Sequence, residues 1–429
     1  MKTDSYIPDL LSFLDSSPTA SWAVSYLASK LDENGFTRLE EGNSWNIGAN
    51  VGFYTVRSAS SIIAGITGTE ACDTAGCRII GAHTDSPGFR IKPEPDRNKE
   101  NINVLGVELY GSPILATWFD RDLSLAGTLA VREDDTVFRR SFMIRKPIFR
   151  MASPAKHINR EVNKNGFKVN SEMNTPLLFS SSGAVFDDVL SLACESADVK
   201  RDSVSGWSME IWDPQPATLG GIEDDFIFSG RLDNLAMCHT AIEALLASEE
   251  CPETRLVSLF NSEEVGSTTL NGAGSTFLDT VIERLAGGRD EYFRCLSRSI
   301  QVSADGAHAL HPNYSEKHDP GCHPVLNGGP VIKVNAMEKY TSSDVTSAYF
   351  RTCAEKSGVD IQYFVNRNDM PCGITIGPVT SSRLGIRSVD VGNPMLSMHS
   401  VRETAGKSDH EAMIRVLAEH MRGSVSIRD

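Results

Sequence analysis

The chain has 429 residues, 41 of them Lys or Arg and 56 Asp or Glu, for a formal net charge of −15. At roughly 150 residues per domain, this length suits two or three domains, or one large domain with an insertion. Hydrophobic residues make up 40% and charged ones 23%, which excludes disorder for the bulk of the chain, and the acidic surplus excludes a general binder of phosphate backbones. No apolar run of about 18 residues occurs, and the start lacks a basic segment followed by an apolar one. Neither a membrane nor a nucleic-acid partner is expected. The nine cysteines are scattered and contain no C-x-x-C pair. They read as reduced thiols in a cytoplasmic protein, which leaves His and carboxylates to hold any metal.

In chain order, Trp22, Ala23, Tyr26, Leu27 and Leu31 recur at helical spacing, and Asn34-Gly35 supplies a stop. Extended runs follow at 52–56, 61–66 and 77–82. The last is mostly apolar, as in a sheet covered on both faces, and leads directly into His83. From about residue 93 to 225 the pattern changes to short alternating runs. Two of these, 128–132 and 136–144, are joined by a hairpin turn at Glu133-Asp134-Asp135-Thr136. A helix is then expected at 235–246, with Leu235, Cys238, Ile242, Leu245 and Leu246 on one face. Strands are expected at 255–260, 299–304, 330–334 and 387–391, and helices at 343–356 and 407–422. This alternation predicts an α/β fold built from residues 1–92 and 226–429, with residues 93–225 as an inserted β-rich domain.

The acids and histidines fall at the ends of these strands. His83-Thr84-Asp85 follows one, Glu263-Glu264 another and Asp305 a third, while Asp233 precedes a helix and His399 lies in a late loop. Ligands of open α/β sheets collect beyond the carboxyl ends of strands, so these groups can share one site. Two His and three carboxylates suit a pair of zinc-like ions. Asp233 has two oxygens and is the best placed to bridge them. Asp85 can accept the second imidazole N–H of His83. Of the adjacent pair, one Glu can bind metal while the other acts as general base. Taken singly, each feature has a plainer reading: Asp233 as a helix N-cap, Glu-Glu as a solvated face, His399 as a loop histidine. The looser set His308, His311, His318 and His323 fits no common zinc spacing and reads as structural or near the substrate. There is no G-x-S-x-G, P-loop or H-E-x-x-H motif.

Read together, the motifs resemble those of the M18 metallopeptidases, the aspartyl aminopeptidase family. They are Gly81-Ala82-His83-Thr84-Asp85-Ser86-Pro87, Thr117-Trp118-Phe119-Asp120-Arg121-Asp122-Leu123, Ser229-Gly230-Arg231-Leu232-Asp233-Asn234-Leu235 and Glu263-Glu264-Val265-Gly266-Ser267. The series continues with Val302-Ser303-Ala304-Asp305, His311-Pro312-Asn313-Tyr314, the run from Gly329 to Asn335 and that from Arg367 to Gly373, and it ends with Met398-His399-Ser400-Val401-Arg402-Glu403. The resemblance implies a phosphorylase/hydrolase-like, three-layer α/β/α catalytic domain with an inserted dimerisation domain, assembled from dimers into a tetrahedral homododecamer. It implies one divalent ion on His83, Asp233 and Asp305 and a second on Asp233, Glu264 and His399, zinc first, with cobalt or manganese as alternatives. Glu263 would be the general base and Asp85 the orienter of His83. His157 would act in a neighbouring subunit's site, and Lys333 and Tyr340 would line a pocket for an acidic first residue of a peptide with a free N-terminus. Two departures stand out: Gly88 replaces a frequent cysteine, and residues 151–156 are more polar than the family's usual apolar run. Rival readings are a binuclear amidase or deacylase on non-peptide substrates, and a catalytically silent assembly protein.

Overall fold

A computed structural model describes residues 6–427. It shows a mixed α/β protein with a large mixed sheet and a separate antiparallel sheet. The large sheet has nine strands in the order Thr37–Arg38, Gly52–Arg57, Ser61–Ile66, Thr254–Phe260, Cys77–His83, Ile300–Ala304, Arg387–Gly392, Val331–Val334 and Gln362–Val365. Its centre is parallel: Cys77–His83 lies between Thr254–Phe260 and Ile300–Ala304, and Arg387–Gly392 runs beside the latter. The carboxyl ends of all four strands therefore open on one edge, where His83 stands opposite Phe260 and Ala304 opposite Val391.

The apolar character of these strands follows from burial on both faces. Along Cys77–His83, Ile80 and Ala82 pack with the helices Ala20–Glu33, Leu232–Leu246, Asp344–Ser357 and Lys407–Met421. The alternate residues Cys77 and Ile79 pack with Phe277–Ala286, Arg289–Arg298 and Ile376–Leu384. At about 2 kcal/mol for each fully buried Leu or Ile, these two clusters hold the central strands rigidly in register.

The second sheet is antiparallel, in the order Thr136–Met143, Ser124–Glu133, Val204–Trp212, Gly88–Lys99, Ile102–Tyr110 and Leu177–Ser180. Glu133 pairs with Thr136 across the expected hairpin turn. This stretch also holds the helix Phe186–Ala197, whose Phe186, Val189, Leu190 and Ala193 pack into the core of the sheet. Short strands make a third sheet, in the order Thr218–Gly220, Phe226–Ser229, Glu403–Gly406, Pro394–Leu396 and Ala307–His308. Among the described residues, no helix is long and apolar enough to cross a membrane.

Candidate metal centre and active site

His83, Asp233, Glu263 and Asp305 sit at or beside the ends of strands or helices and His399 in the turn between Pro394–Leu396 and Glu403–Gly406, and several are aimed by unusual backbone. Ser262, just before Glu263, has φ 66°, His399 has φ 69°, and Arg231, two residues before Asp233, has φ 61°. A non-glycine residue in this region costs about 1–3 kcal/mol, and such residues gather at functional sites because the surrounding packing holds them there. Asp233 is not the cap of its helix: Arg231 occupies that position, and Asp233 and Asn234 depart from helical geometry, with a cis peptide bond between them. Asp305 is held by its N–H donating to Val391 O at 2.9 Å. Its carbonyl oxygen lies so close to Gly392 that a Cβ there would come within 1.7 Å of it.

The structure brings the five expected metal residues together in two groups that share Asp233. His83 Nε2 lies 3.5 Å from Asp233 Oδ1 and 3.4 Å from Asp305 Oδ1. His399 Nε2 lies 3.4 Å from Asp233 Oδ2 and 3.5 Å from Glu264 Oε2. In each group the three donor atoms fall within 4.8 Å of one another, close to the spread that bonds of about 2.0–2.2 Å to a common ion allow. Glu263 and Glu264 lie in a single turn of 3-10 helix, and an oxygen of each falls within 4.8 Å of the other and of a His83 nitrogen. Glu263 Oε2 approaches His83 Nε2 at 3.9 Å, while Glu264 faces His399.

Both imidazoles have their second nitrogen fixed. His399 Nδ1 is bonded to Ser112 O at 3.0 Å. His83 Nδ1 is bonded to the main-chain carbonyl of Asp85 at 3.0 Å, with Asp85 Oδ1 at 3.4 Å. The hydrogen bond thus reaches Asp85 but not the carboxylate that sequence reasoning selected. That carboxylate is occupied elsewhere: it accepts from the N–H groups of Glu263 at 3.1 Å and Glu264 at 3.2 Å, and from the Tyr110 hydroxyl at 2.7 Å.

The electrostatics leave the cluster negative and unbalanced. Burial drives Glu263 up to about 8 against the pull of His83, with Asp305, Asp233 and Asp85 adding to the rise. Burial and Asp233 likewise raise Glu264 well above its ordinary range. Burial pulls His399 down, but Asp233 and Glu264 raise it to about 9, and His83 is raised against burial by Asp233, Asp305 and Asp85. Among the described residues, Asp233 Oδ1 and Glu264 Oε1 are buried without a hydrogen-bond partner. Orphaned acceptors amid excess buried negative charge are what a divalent cation satisfies, and the imidazole and carboxylate donors match zinc. The residues present therefore fit the metal that the donor chemistry implies.

The remaining expected residues lie differently. Lys333 is 2% exposed, and its ammonium donates to Gly306 O at 3.0 Å and Asp305 Oδ2 at 3.3 Å, so it already pairs with a protein acid. The Tyr340 ring is 5.2 Å from that ammonium. His157 is exposed in a turn and belongs to neither group of candidate ligand atoms. Sequence reasoning missed Glu403 as a positioning group. Its buried carboxylate accepts from His399 N–H at 2.8 Å and from Asp233 N–H at 3.1 Å, tying two segments 170 positions apart. The signals for it were its place four residues beyond His399 and at the end of the last motif, Met398 to Glu403. In the His-rich loop, His318 Nε2 accepts from His311 N–H at 3.1 Å and His323 Nδ1 bonds Asp319 O at 2.9 Å, which are structural roles.

The sequence profile of the family described as Aminopeptidase I zinc metalloprotease (M18) matches residues 13–420. A probable M18 family aminopeptidase 2 from Ectopseudomonas mendocina (strain ymp) is 42% identical over 417 residues, 96% of each chain. The corresponding protein of Pseudomonas savastanoi pv. phaseolicola is 40% identical over 414 residues, 95% of this chain and 96% of the other. Among solved structures, a chain of the Ape4 and Nbr1 complex superposes with a TM-score of 0.94 at 36% identity, covering 98% of this chain and 86% of that one. The S. cerevisiae mApe1 dodecamer gives 0.83 at 26% identity, covering 98% and 97%. With the profile spanning nearly the whole chain and the candidate ligand side chains converging at one sheet edge, the protein belongs to the M18 family of zinc aminopeptidases, hydrolases that remove N-terminal residues.

Proposed function

We propose that this aminopeptidase uses two zinc ions, prefers N-terminal Asp or Glu, and works in the cytoplasm as a dodecamer built from dimers. The observation that carries the two-metal reading is the sharing of Asp233 between the His83/Asp305 group and the Glu264/His399 group. When bound, such ions polarise a substrate carbonyl as Lewis acids and acidify water. Glu263, beside the shared carboxylate, takes the proton from the attacking water and returns it to the leaving amine. Asp85 holds the turn that presents Glu263 and Glu264 through their two N–H groups. Lys333, braced by Tyr340, supplies the positive charge for a substrate side-chain carboxylate, in competition with Asp305. His157, exposed on its own chain, donates to the oxyanion in a neighbouring subunit.

In this reading residues 1–92 and 226–429 make the three-layer catalytic domain, and residues 93–225 are the oligomerisation domain. The dodecamer named for S. cerevisiae mApe1 supports the assembly, and nine free cysteines support a reducing compartment. The test is hydrolysis of aspartyl-, glutamyl-, leucyl- and N-acetyl-aspartyl amides by chain stripped with a chelator and titrated with zinc. Activity should return at two zinc per chain, with the free-amine acidic substrates at least tenfold ahead of leucyl. Equal hydrolysis of the acetylated substrate would point instead to a deacylase, and a leucyl preference would remove the acidic pocket.

A further inference from the structure

Three of the nine cysteines meet at the opposite end of the strand from His83. Cys77 opens the strand Cys77–His83, Cys72 begins the short helix Cys72–Ala75 just before it, and Cys295 lies in the helix Arg289–Arg298. Cys77 Sγ and Cys295 Sγ are 3.5 Å apart, and all three residues belong to one apolar cluster with Phe53, Ile79 and Ile282. Six strand residues place this end about 20 Å from the metal groups, so the thiols are not part of that site. Cys77 and Cys295 are 1% and 0% exposed. Cys72 is also buried, at 4% exposed, but it is in the lining of a surface cavity of about 290 Å³, together with Trp45, Thr69, Thr254 and Arg284. That space admits a small hydroperoxide with accompanying water.

We propose that Cys72, Cys77 and Cys295 form a peroxide-reactive thiol site, in which Cys72 meets the oxidant in the cavity and Cys295 resolves it as a disulfide. The chemistry suits the arrangement, because the thiolate is the species that peroxides oxidise. Contacts from Cys295 and Cys77 hold the Cys72 thiol below its ordinary range, and the contact with Cys72, helped by burial, pushes Cys295 up against the pull of Cys77. The Cys72 thiolate attacks one oxygen of the hydroperoxide; an S–O bond forms, the O–O bond breaks, and the alkoxide leaves with a proton from solvent as the alcohol. The Cys295 thiol then attacks the sulfenic sulfur; an S–S bond forms, the S–O bond breaks, and hydroxide leaves with the Cys295 proton as water. Two thiols have lost two electrons and the peroxide has gained them. The disulfide joins the segment entering the His83 strand to the helix entering the Asp305 strand, without touching either ligand.

The test exposes the full chain to hydrogen peroxide, alkylates the remaining thiols after denaturation, and maps the peptides without reduction. The expected result is one intramolecular disulfide containing Cys295, with two thiols lost per chain before the half-buried Cys322 and Cys372 react. Cys72→Ser should slow its formation at least tenfold, and Cys295→Ser should leave a sulfenic acid on Cys72 that dimedone captures. Recovery of all three cysteines as free thiols after Cys322 and Cys372 have been oxidised would overturn the site. A disulfide forming at an undiminished rate in Cys72→Ser would overturn entry through the cavity. Mapping of the unaltered chain decides the first point whether or not the variants fold.

Discussion

Two clusters in this molecule have nearly the same composition and opposite electrostatics. Asp9, His239 and Glu243 bring three ligand-type atoms within 4.8 Å of one another, just as His83, Asp233 and Asp305 do. Around His239, however, one ammonium serves both acids, whereas in the other group Lys333 pairs with Asp305. Lys30 pairs with both Asp9 and Glu243, His239 Nε2 donates to Asp9 Oδ2 at 2.8 Å, and its Nδ1 shares a hydrogen bond with His410 Nε2 at 2.9 Å. Despite burial, His239 and Lys30 hold Asp9 well below the usual carboxylate range. Around Asp233 the carboxylates outnumber their partners, two of their oxygens have no hydrogen bond, and two glutamates are pushed upward. Proximity of His and acids does not mark a metal centre; uncompensated acceptors do.

The comparison can be broken most severely at Asp233. Asp233→Ala removes the shared carboxylate, and kcat/KM should fall by at least about 10³-fold, with zinc content dropping at both sites. Glu263→Gln separates chemistry from binding: turnover should fall about as far while zinc content by elemental analysis stays unchanged. Glu403→Gln turns one acceptor into an amide donor facing an N–H group. Zinc affinity, read by chelator competition, should weaken about 10–100-fold.

At the other cluster, Lys30→Met leaves two carboxylates without their cation. A fully buried pair loses about 3–5 kcal/mol when one partner is removed; with Asp9 about a third exposed, a loss of about 2 kcal/mol is expected by denaturant melts. Millimolar zinc should recover part of it, because Asp9, His239 and Glu243 then resemble the other centre.

The last test is in pH. His420 accepts from the Tyr349 hydroxyl at 2.8 Å and bonds Ile79 O at 3.2 Å, and burial, with Arg78 nearby, lowers its pKa to about 3. Its folded pKa lies below the unfolded value of about 6.5, so the unfolded chain binds the extra proton. The contribution is intact above about pH 6.5 and is lost as pH falls toward 3, by up to about 1.4 kcal/mol per unit. His420→Gln should flatten the acid side of the stability profile; an unchanged slope would show that this histidine does not titrate on unfolding.

Much of the large sheet was legible. The runs at 61–66, 77–82 and 255–260 became the strands Ser61–Ile66, Cys77–His83 and Thr254–Phe260, because nearly continuous apolar runs of this length have few other solutions. Other elements gave no comparable signal. The helix Phe186–Ala197 lies in a stretch whose alternating runs suggested only β structure, and strands of two to four residues such as Ala307–His308 and Pro394–Leu396 are too short to show a period. Asp233 had a plain reading as a helix cap beside that of a bridging ligand; in the fold Arg231 takes the cap position, and Asp233 lies in a non-helical turn after it.

The sequence by itself determined which strands are buried on both faces and that acids and histidines stand at their ends, because hydrophobic period and residue chemistry are local properties. Only the tertiary structure decided that Asp85 offers His83 its carbonyl, that Glu403 ties Asp233 to His399, that Lys333 pairs with Asp305, and that Lys30 fills one cluster while the other keeps its orphaned oxygens. These are contacts between segments far apart in the chain. Whether a buried charge is satisfied depends on what folding brings beside it, and no local pattern encodes that.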